Sequence, residues 1–227
     1  MAKRTSKSSS RARSSGLRRP QVVWASLVGA MTVVGGLLFA VDNRPVARMD
    51  AVSLPALVAS AGSSTMEAVF KTRTKLDKQR WNSIVIYHSG SPSATPQRLE
   101  AEARAKNLDG MGYHFVIGNG NGSFGDGEIH IGNRWLNQKV GAHAAGPKAE
   151  QFNRSAIGIC LVGQGDRQPF TANQLRYLTM LVDALAQELN IPKERIFLHS
   201  DIAPTSDPGR FFPAEAFKAQ IAAALKN

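Results

Sequence analysis

The chain holds a single cysteine, Cys160, among 227 residues, so no disulfide can form within it. It has no Cys-x-x-Cys or His-Glu-x-x-His pair, the short motifs whose spacing alone marks a metal site. No Gly-Lys-Ser/Thr follows the glycine-rich stretch at 118–127. That excludes a phosphate-cradling loop and leaves hairpin turns, where Gly and Asn accept positive φ. Acid is missing from the start of the chain. Residues 1–20 carry seven basic side chains (Lys3, Arg4, Lys7, Arg11, Arg13, Arg18, Arg19) and no Asp or Glu. Removing those seven from the net +11 leaves only +4 on the other 207 residues. A nucleic-acid binder needs a basic stripe with interleaved aromatics on its folded part. Here the excess charge belongs to a tail, so nucleic acid is not expected as a partner.

That tail, residues 1–21, is rich in Ser and Arg and poor in large apolar side chains. It cannot bury enough surface to offset its ordering entropy and reads as a disordered cytoplasmic segment. Residues 22–41 then run without a charge. As a helix they span about 30 Å at about 1.5 Å per residue, the hydrocarbon thickness of a bilayer. Basic residues before this span and Asp42 after it predict the tail inside and everything downstream outside, periplasmic or on the cell-wall side. Trp24 falls near the inner interface. A cleaved signal peptide competes with this reading, but its apolar core is shorter, about 7–15 residues, and Leu38-Phe-Ala40 poorly matches a small-x-small cleavage site. Arg18-Arg19 as a twin-arginine signal and a buried soluble helix are the remaining alternatives. The expectation is an uncleaved membrane anchor. Residues 42–79 read as a connector, and whether it packs on the domain stays open.

Residues 80–227 carry the signals of one α/β domain. Ile84-Val-Ile-Tyr87 and Ala156 to Val162 are apolar on both faces, as central strands are. Thr95-Pro96 supplies an N-cap and an N1 proline to a helix running through Lys106. A strand is expected from Tyr113 to Ile117, which would turn Tyr113 and His114 to opposite faces. Glu128 to Ile131 alternates like an exposed strand. Thr171-Ala-Asn-Gln174 is a capping box, and Leu175, Leu178, Leu181, Val182, Leu185 and Leu189 then form a helical stripe. Ile196 to Leu198 is a strand, and Pro213 opens a last helix. Strands alternating with helices predict a central mixed β-sheet flanked by helices. Cys160 is expected as a buried small hydrophobe.

Candidate chemistry gathers at Phe197-Leu-His-Ser-Asp-Ile-Ala-Pro-Thr-Ser-Asp-Pro-Gly209, where an apolar strand end runs into a Pro-rich loop. His199 and Asp207 offer an imidazole and a carboxylate, both acceptable to zinc, and His88 at another strand end is the best third donor. Spacing alone leaves loop hydrogen bonding as the alternative.

Four blocks occur in an order that resembles the N-acetylmuramoyl-L-alanine amidase family, which includes phage lysozyme-type amidases and peptidoglycan recognition proteins. They are Ile84-Val-Ile-Tyr-His-Ser89; Gly112-Tyr-His-Phe-Val-Ile117; Gly141-Ala-His143 with Asn153-Arg-Ser-Ala-Ile-Gly-Ile-Cys-Leu-Val-Gly163; and His199-Ser-Asp-Ile-Ala-Pro204 with Asp207-Pro-Gly209. The resemblance implies that His88, His199 and Asp207 hold Zn2+, with the fourth position left for water. It makes Tyr113 a catalytic residue and places His143 on the wall of the substrate cleft. Asn153 and Arg154 are candidate cleft residues beside it, while His114 and His130 are expected to be structural and solvated. Thr205 stands where many relatives carry a Lys that stabilises the tetrahedral oxyanion, and its hydroxyl brings no charge. The implied function is zinc-dependent hydrolysis of the amide between N-acetylmuramic acid and L-alanine in peptidoglycan or muropeptides. The rival is a non-catalytic peptidoglycan-binding protein of the same fold.

Overall fold

The structure is a computed structural model, and it describes residues 65–225. The expected span 22–41 lies outside the described residues. Among the described residues no helix is long and apolar enough to cross a membrane.

Five strands form one mixed sheet: β1 (Ser83–His88), β2 (Phe115–Asn119), β3 (Asp126–Ile131), β4 (Ala156–Leu161) and β5 (Ile196–Leu198), in the spatial order β3-β2-β4-β1-β5. β2, β4, β1 and β5 are mutually parallel, and β3 closes one edge antiparallel to β2. The helices are α1 (Pro96–Ala105), α2 (Asn133–Leu136), α3 (Ala149–Ser155), α4 (Ala172–Leu189), α5 (His199–Ile202) and α6 (Ala214–Ala224). This is the mixed, helix-flanked sheet that the strand and helix signals predict.

The two-sided apolar strands explain the layering. In β1, Ile84 and Ile86 enter one core while Val85 and Tyr87 enter the other. β4 does the same, with Ile157, Ile159 and Leu161 on one face and Ala156 and Cys160 on the opposite face. The first core is covered by α4 and α6 through Leu178, Leu181, Val182, Leu185, Phe217 and Ile221. The second contains Leu99 and Ala103 of α1 together with Tyr87 and Cys160, and it is the face on which the site forms.

Local signals hold where the side chains decide. Thr95 Oγ1 accepts from the Arg98 N–H at 3.1 Å. Thr171 Oγ1 accepts from the Gln174 N–H at 3.0 Å, and Gln174 Oε1 accepts from the Thr171 N–H at 3.2 Å, completing the capping box. Gln174 Nε2 also donates to the Ile117 and Val162 carbonyls, tying α4 to β2 and the end of β4.

Two features differ from the sequence expectation, and a third answers what the sequence left open. The strand expected from Tyr113 begins at Phe115. Tyr113 and His114 precede it, yet they still divide between the two sides of the fold: Tyr113 packs on the Tyr87 core, and His114 lies 4.8 Å edge-on to Trp81. His199 does not open an irregular loop but starts α5, whose first turn is tied down by Asp201 Oδ2 accepting from the Leu198 N–H at 2.8 Å. The described part of the 42–79 stretch packs on the domain. Val69 is fully buried, its carbonyl accepts from Trp135 Nε1 at 2.7 Å, and Gln138 Oε1 takes the Asp77 N–H and Trp81 Nε1.

Candidate metal centre and hydrolytic site

Sheet order brings the candidate ligands together. β1 and β5 are parallel neighbours with Ile86 opposite Leu198, so both strands run out at the same edge, where open α/β sheets place their ligands. His88 ends β1 and His199 follows β5. β4 lies on the other side of β1, with Leu161 opposite His88. The turn after β4 therefore also reaches this edge.

Asp207 is buried and joins the two histidine segments. Its Oδ1 accepts from the His88 main-chain N–H at 2.6 Å, and its Oδ2 lies 2.9 Å from His199 Nδ1. The His88 imidazole is engaged elsewhere: its Nδ1 accepts from the Gly165 N–H at 3.1 Å. Thr205 is exposed, and its Oγ1 accepts from the Asp207 N–H at 3.2 Å, which leaves the hydroxyl hydrogen free to point outwards.

Among the described residues no three His, Cys, Asp or Glu side chains are gathered closely enough to hold a metal ion. The donors nevertheless suit zinc in kind. His199 Nε2 is buried without a hydrogen-bond partner, a state that costs about 1–3 kcal/mol for a polar group and calls for a functional explanation. His199 Nδ1 and Asp207 Oδ2, 2.9 Å apart, are an imidazole nitrogen and a carboxylate oxygen of the kinds zinc accepts. Two donors are in contact, and the third, His88, needs only to exchange its contact with Gly165.

Tyr113 sits beside this group, its ring 5.4 Å from that of Tyr87. Burial, then the neighbouring Cys160 and Asp207, pushes the Tyr113 phenol well above its ordinary value, so at neutral pH it is a protonated hydrogen-bond donor. Burial likewise pushes the Cys160 thiol up, which keeps it inert as expected of a core residue. A cavity of about 350 Å³ opens here, with Ser89, Tyr113 and His143 on its wall and Glu102 of α1 and Lys106 just after that helix along its side.

His143 lines that cavity, but both ring nitrogens are committed to the protein. Nδ1 lies 2.8 Å from the Tyr87 hydroxyl and Nε2 lies 3.1 Å from the Ala156 carbonyl. Asn153 does not reach the cavity. Its Oδ1 accepts from the His143 and Ala144 N–H groups, both at 2.8 Å, and its Nδ2 donates to the Ala144 carbonyl, so it clamps the His143 loop. Arg154 is exposed, pairs with Glu150 at 2.9 Å, and borders a separate depression with Arg80 and Val140. His114 is structural: Nδ1 accepts from the Gly158 N–H at 3.0 Å in a fully buried setting. His130 is partly buried against Phe124. Sequence reading passed over Tyr87, because a Tyr in an apolar strand carries no signal beyond packing.

Loss of water pushes His143 down to about 4 and holds His114 well below its ordinary value. Each ring stays neutral in the folded protein down to lower pH than in the unfolded chain, where it protonates near pH 6.5. The unfolded chain therefore binds more protons below about pH 6.5, and stability falls with acidification from there towards about pH 4. Urea midpoints for the protein should decline across this window, and a His143→Gln variant should decline less steeply. Parallel slopes would show that His143 is not one of the responsible groups.

The comparisons with known proteins agree with this geometry. The family described as N-acetylmuramoyl-L-alanine amidase matches residues 77–210. An endolysin from Enterobacteria phage K11 is 31% identical over 103 residues, which are 43% of this chain and 58% of the endolysin; the match thus spans little more than half the length of that relative. Two solved structures from Clostridium intestinale URNW share the fold. The endolysin amidase LysCS is 30% identical with a TM-score of 0.55, covering 64% of this chain and 86% of its own. The amidase LysC is 31% identical, also with a TM-score of 0.55, covering 66% of this chain and 91% of its own. With the family match spanning more than half of its length, the chain belongs to the N-acetylmuramoyl-L-alanine amidase family.

Proposed function

We propose that this protein is a zinc-dependent hydrolase of peptidoglycan, cleaving the amide between the lactyl group of N-acetylmuramic acid and L-alanine of the stem peptide. The observation that carries the reading is the meeting of His199 Nδ1 and Asp207 Oδ2 at 2.9 Å, at the end of the sheet where β1 also delivers His88. His88, His199 and Asp207 would hold the zinc, which supplies Lewis acidity to the site when bound.

The chain's own groups supply the rest. Asp207 anchors the end of β1 through the His88 N–H and brings its other oxygen to His199 Nδ1. Tyr113 keeps its proton because burial disfavours the phenolate, so it can donate a hydrogen bond to the oxygen on which negative charge develops. Thr205, with its hydroxyl hydrogen unengaged on the Asp207 side, adds a second, uncharged donor. The cavity beside Tyr113 and His143 receives the peptide. Upstream, the uncharged span 22–41 following a basic tail supports a single-pass anchor that holds this domain outside the cytoplasmic membrane, next to its polymeric substrate.

The test is metal analysis of the purified chain, then incubation with purified peptidoglycan and mass spectrometry for stem peptides beginning at L-alanine. About one zinc per chain is expected, with release that His199→Ala abolishes. Zinc without release from wall or muropeptides would favour a binding protein, and absence of zinc would overturn the ligand assignment.

A further inference from the structure

Tyr87 has no part in the hydrolytic scheme above, yet its ring packs against three residues of the site. Its ring centroid lies 4.5 Å from that of His199, 5.4 Å from that of Tyr113 and 5.2 Å from that of His143. It is 1% exposed, so it neither meets substrate nor serves solvent. Its ring belongs to the same core cluster as Val85, Val116 and Cys160, and its hydroxyl meets His143 Nδ1 at 2.8 Å.

His143 is in turn held on every side. Its Nε2 meets the Ala156 carbonyl at 3.1 Å. A carbonyl can only accept, so Nε2 carries the proton and Nδ1 is left to accept from Tyr87. Two glycines make room for the ring. A Cβ on Gly158 or on Gly141 would come within 2.4 Å of His143 Cδ2, closer than side-chain atoms approach one another. The His143 main-chain N–H is fixed by Asn153 Oδ1 at 2.8 Å. A slot with both ring nitrogens satisfied, glycine on two sides and the backbone clamped has a direction. It points from β4, through His143, to the hydroxyl of Tyr87.

We propose that Tyr87 is a positioning residue: the hydrogen bond from its hydroxyl to His143 locks its ring as a wedge between His199 and Tyr113, setting the orientation of both. The inference rests on the hydrolase reading for its catalytic consequence but not for its structural one. An imidazole that must present a nitrogen in one direction, and a phenol that must point its hydroxyl in another, both gain from a rigid surface between them. A ring held only by packing can tilt. A ring with its para position hydrogen-bonded to a fixed partner cannot. In metal sites, loss of an outer contact that orients a ligand typically lowers metal affinity about 10–100-fold.

The experiment uses the full chain labelled with 15N at its histidines, of which there are five, as wild type and as Tyr87→Phe. The substitution keeps the ring and removes only the hydroxyl. In metal-free protein the His143 Nδ1 resonance should lose its hydrogen-bond shift and the His199 ring resonances should move, while those of His130 stay in place. Zinc affinity by competition should fall about tenfold or more, and kcat should fall with KM nearly unchanged. His143→Leu should reproduce the kcat loss, and the double variant should lose little more than the worse single one. Unmoved His199 resonances in Tyr87→Phe would overturn the proposal, as would additive kcat losses. Moved His199 resonances in a protein that releases no peptide would leave Tyr87 as a positioning residue and instead sink the hydrolase reading.

Discussion

Replacing Asp207 by Asn should strip the protein of zinc and lower peptide release by about a thousandfold or more. The wild-type carboxylate performs two tasks with its two oxygens, accepting from the His88 N–H at 2.6 Å and meeting His199 Nδ1 at 2.9 Å. Asn has one acceptor oxygen and a donor NH2 in nearly the same volume. If the oxygen stays on the His88 N–H, the amide turns its N–H towards His199 Nδ1. That nitrogen must then accept from the amide, so its lone pair is no longer free for a metal ion. The variant thus loses a negatively charged donor and ties up the His199 nitrogen beside it. Metal polarisation contributes several kcal/mol to such a reaction, and about 1.4 kcal/mol corresponds to each factor of ten, which gives the expected magnitude. Metal analysis and a peptide-release assay check it together. An Asn variant that retained zinc and turned over normally would remove Asp207 from the site.

Gly165→Ala is expected to be among the most destabilising single-methyl additions in the domain. The new Cβ would lie 1.8 Å from the Pro208 carbonyl oxygen and 3.0 Å from two atoms of the Phe170 ring. The first obstacle is backbone and cannot rotate aside, so the turn after β4 must separate from the segment that carries Asp207. That turn is fastened at several points. The Gly165 carbonyl accepts from the Phe211 N–H at 2.9 Å, the Gly165 N–H donates to His88 Nδ1 at 3.1 Å, and Asp166 Oδ2 accepts from the Ser206 hydroxyl at 2.8 Å. Overpacking typically costs about 1–3 kcal/mol, more when the backbone must shift. For a domain of this size about 3 kcal/mol lowers the melting temperature by roughly 6–12 °C. Thermal unfolding of the variant measures this directly. A melting temperature within about a degree of wild type would mean that the two segments are not held as closely as the structure places them. The same displacement should reduce zinc affinity, because it shifts the segment that carries Asp207 relative to His88.

Much of the fold was legible in local chemistry. The Thr95 cap, the Thr171–Gln174 capping box and the two-sided apolar strands at Ile84 and Ala156 act over a few residues, and their signals survive into the structure because nothing distant opposes them. The short helices α2 and α3 were not foreseen. Each is only four to seven residues long, too short for helical periodicity to show. Nor could the sequence settle the stretch before residue 80, whose charged run at 71–80 reads as solvated. Its placement depends on Val69, Trp81 and Trp135 meeting across more than 60 residues.

The candidate ligands His88, His199 and Asp207 could be nominated from strand ends, residue chemistry and family motifs. Their meeting at one edge was decided by β1 lying between β4 and β5, a matter of sheet order that no local signal encodes. The same order separates residues that look alike in the chain. Asn153 and Arg154 are adjacent, but Asn153 turns in to clamp the His143 loop while Arg154 turns out to solvent. Tyr87 and His143 stand 56 residues apart and are joined by one hydrogen bond. The sequence by itself determined which side chains were available and which segments would be strands or long helices, because caps and periodicity are short-range. Only the tertiary structure decided which of those side chains share a hydrogen bond, because that depends on parallel strands from distant parts of the chain ending side by side.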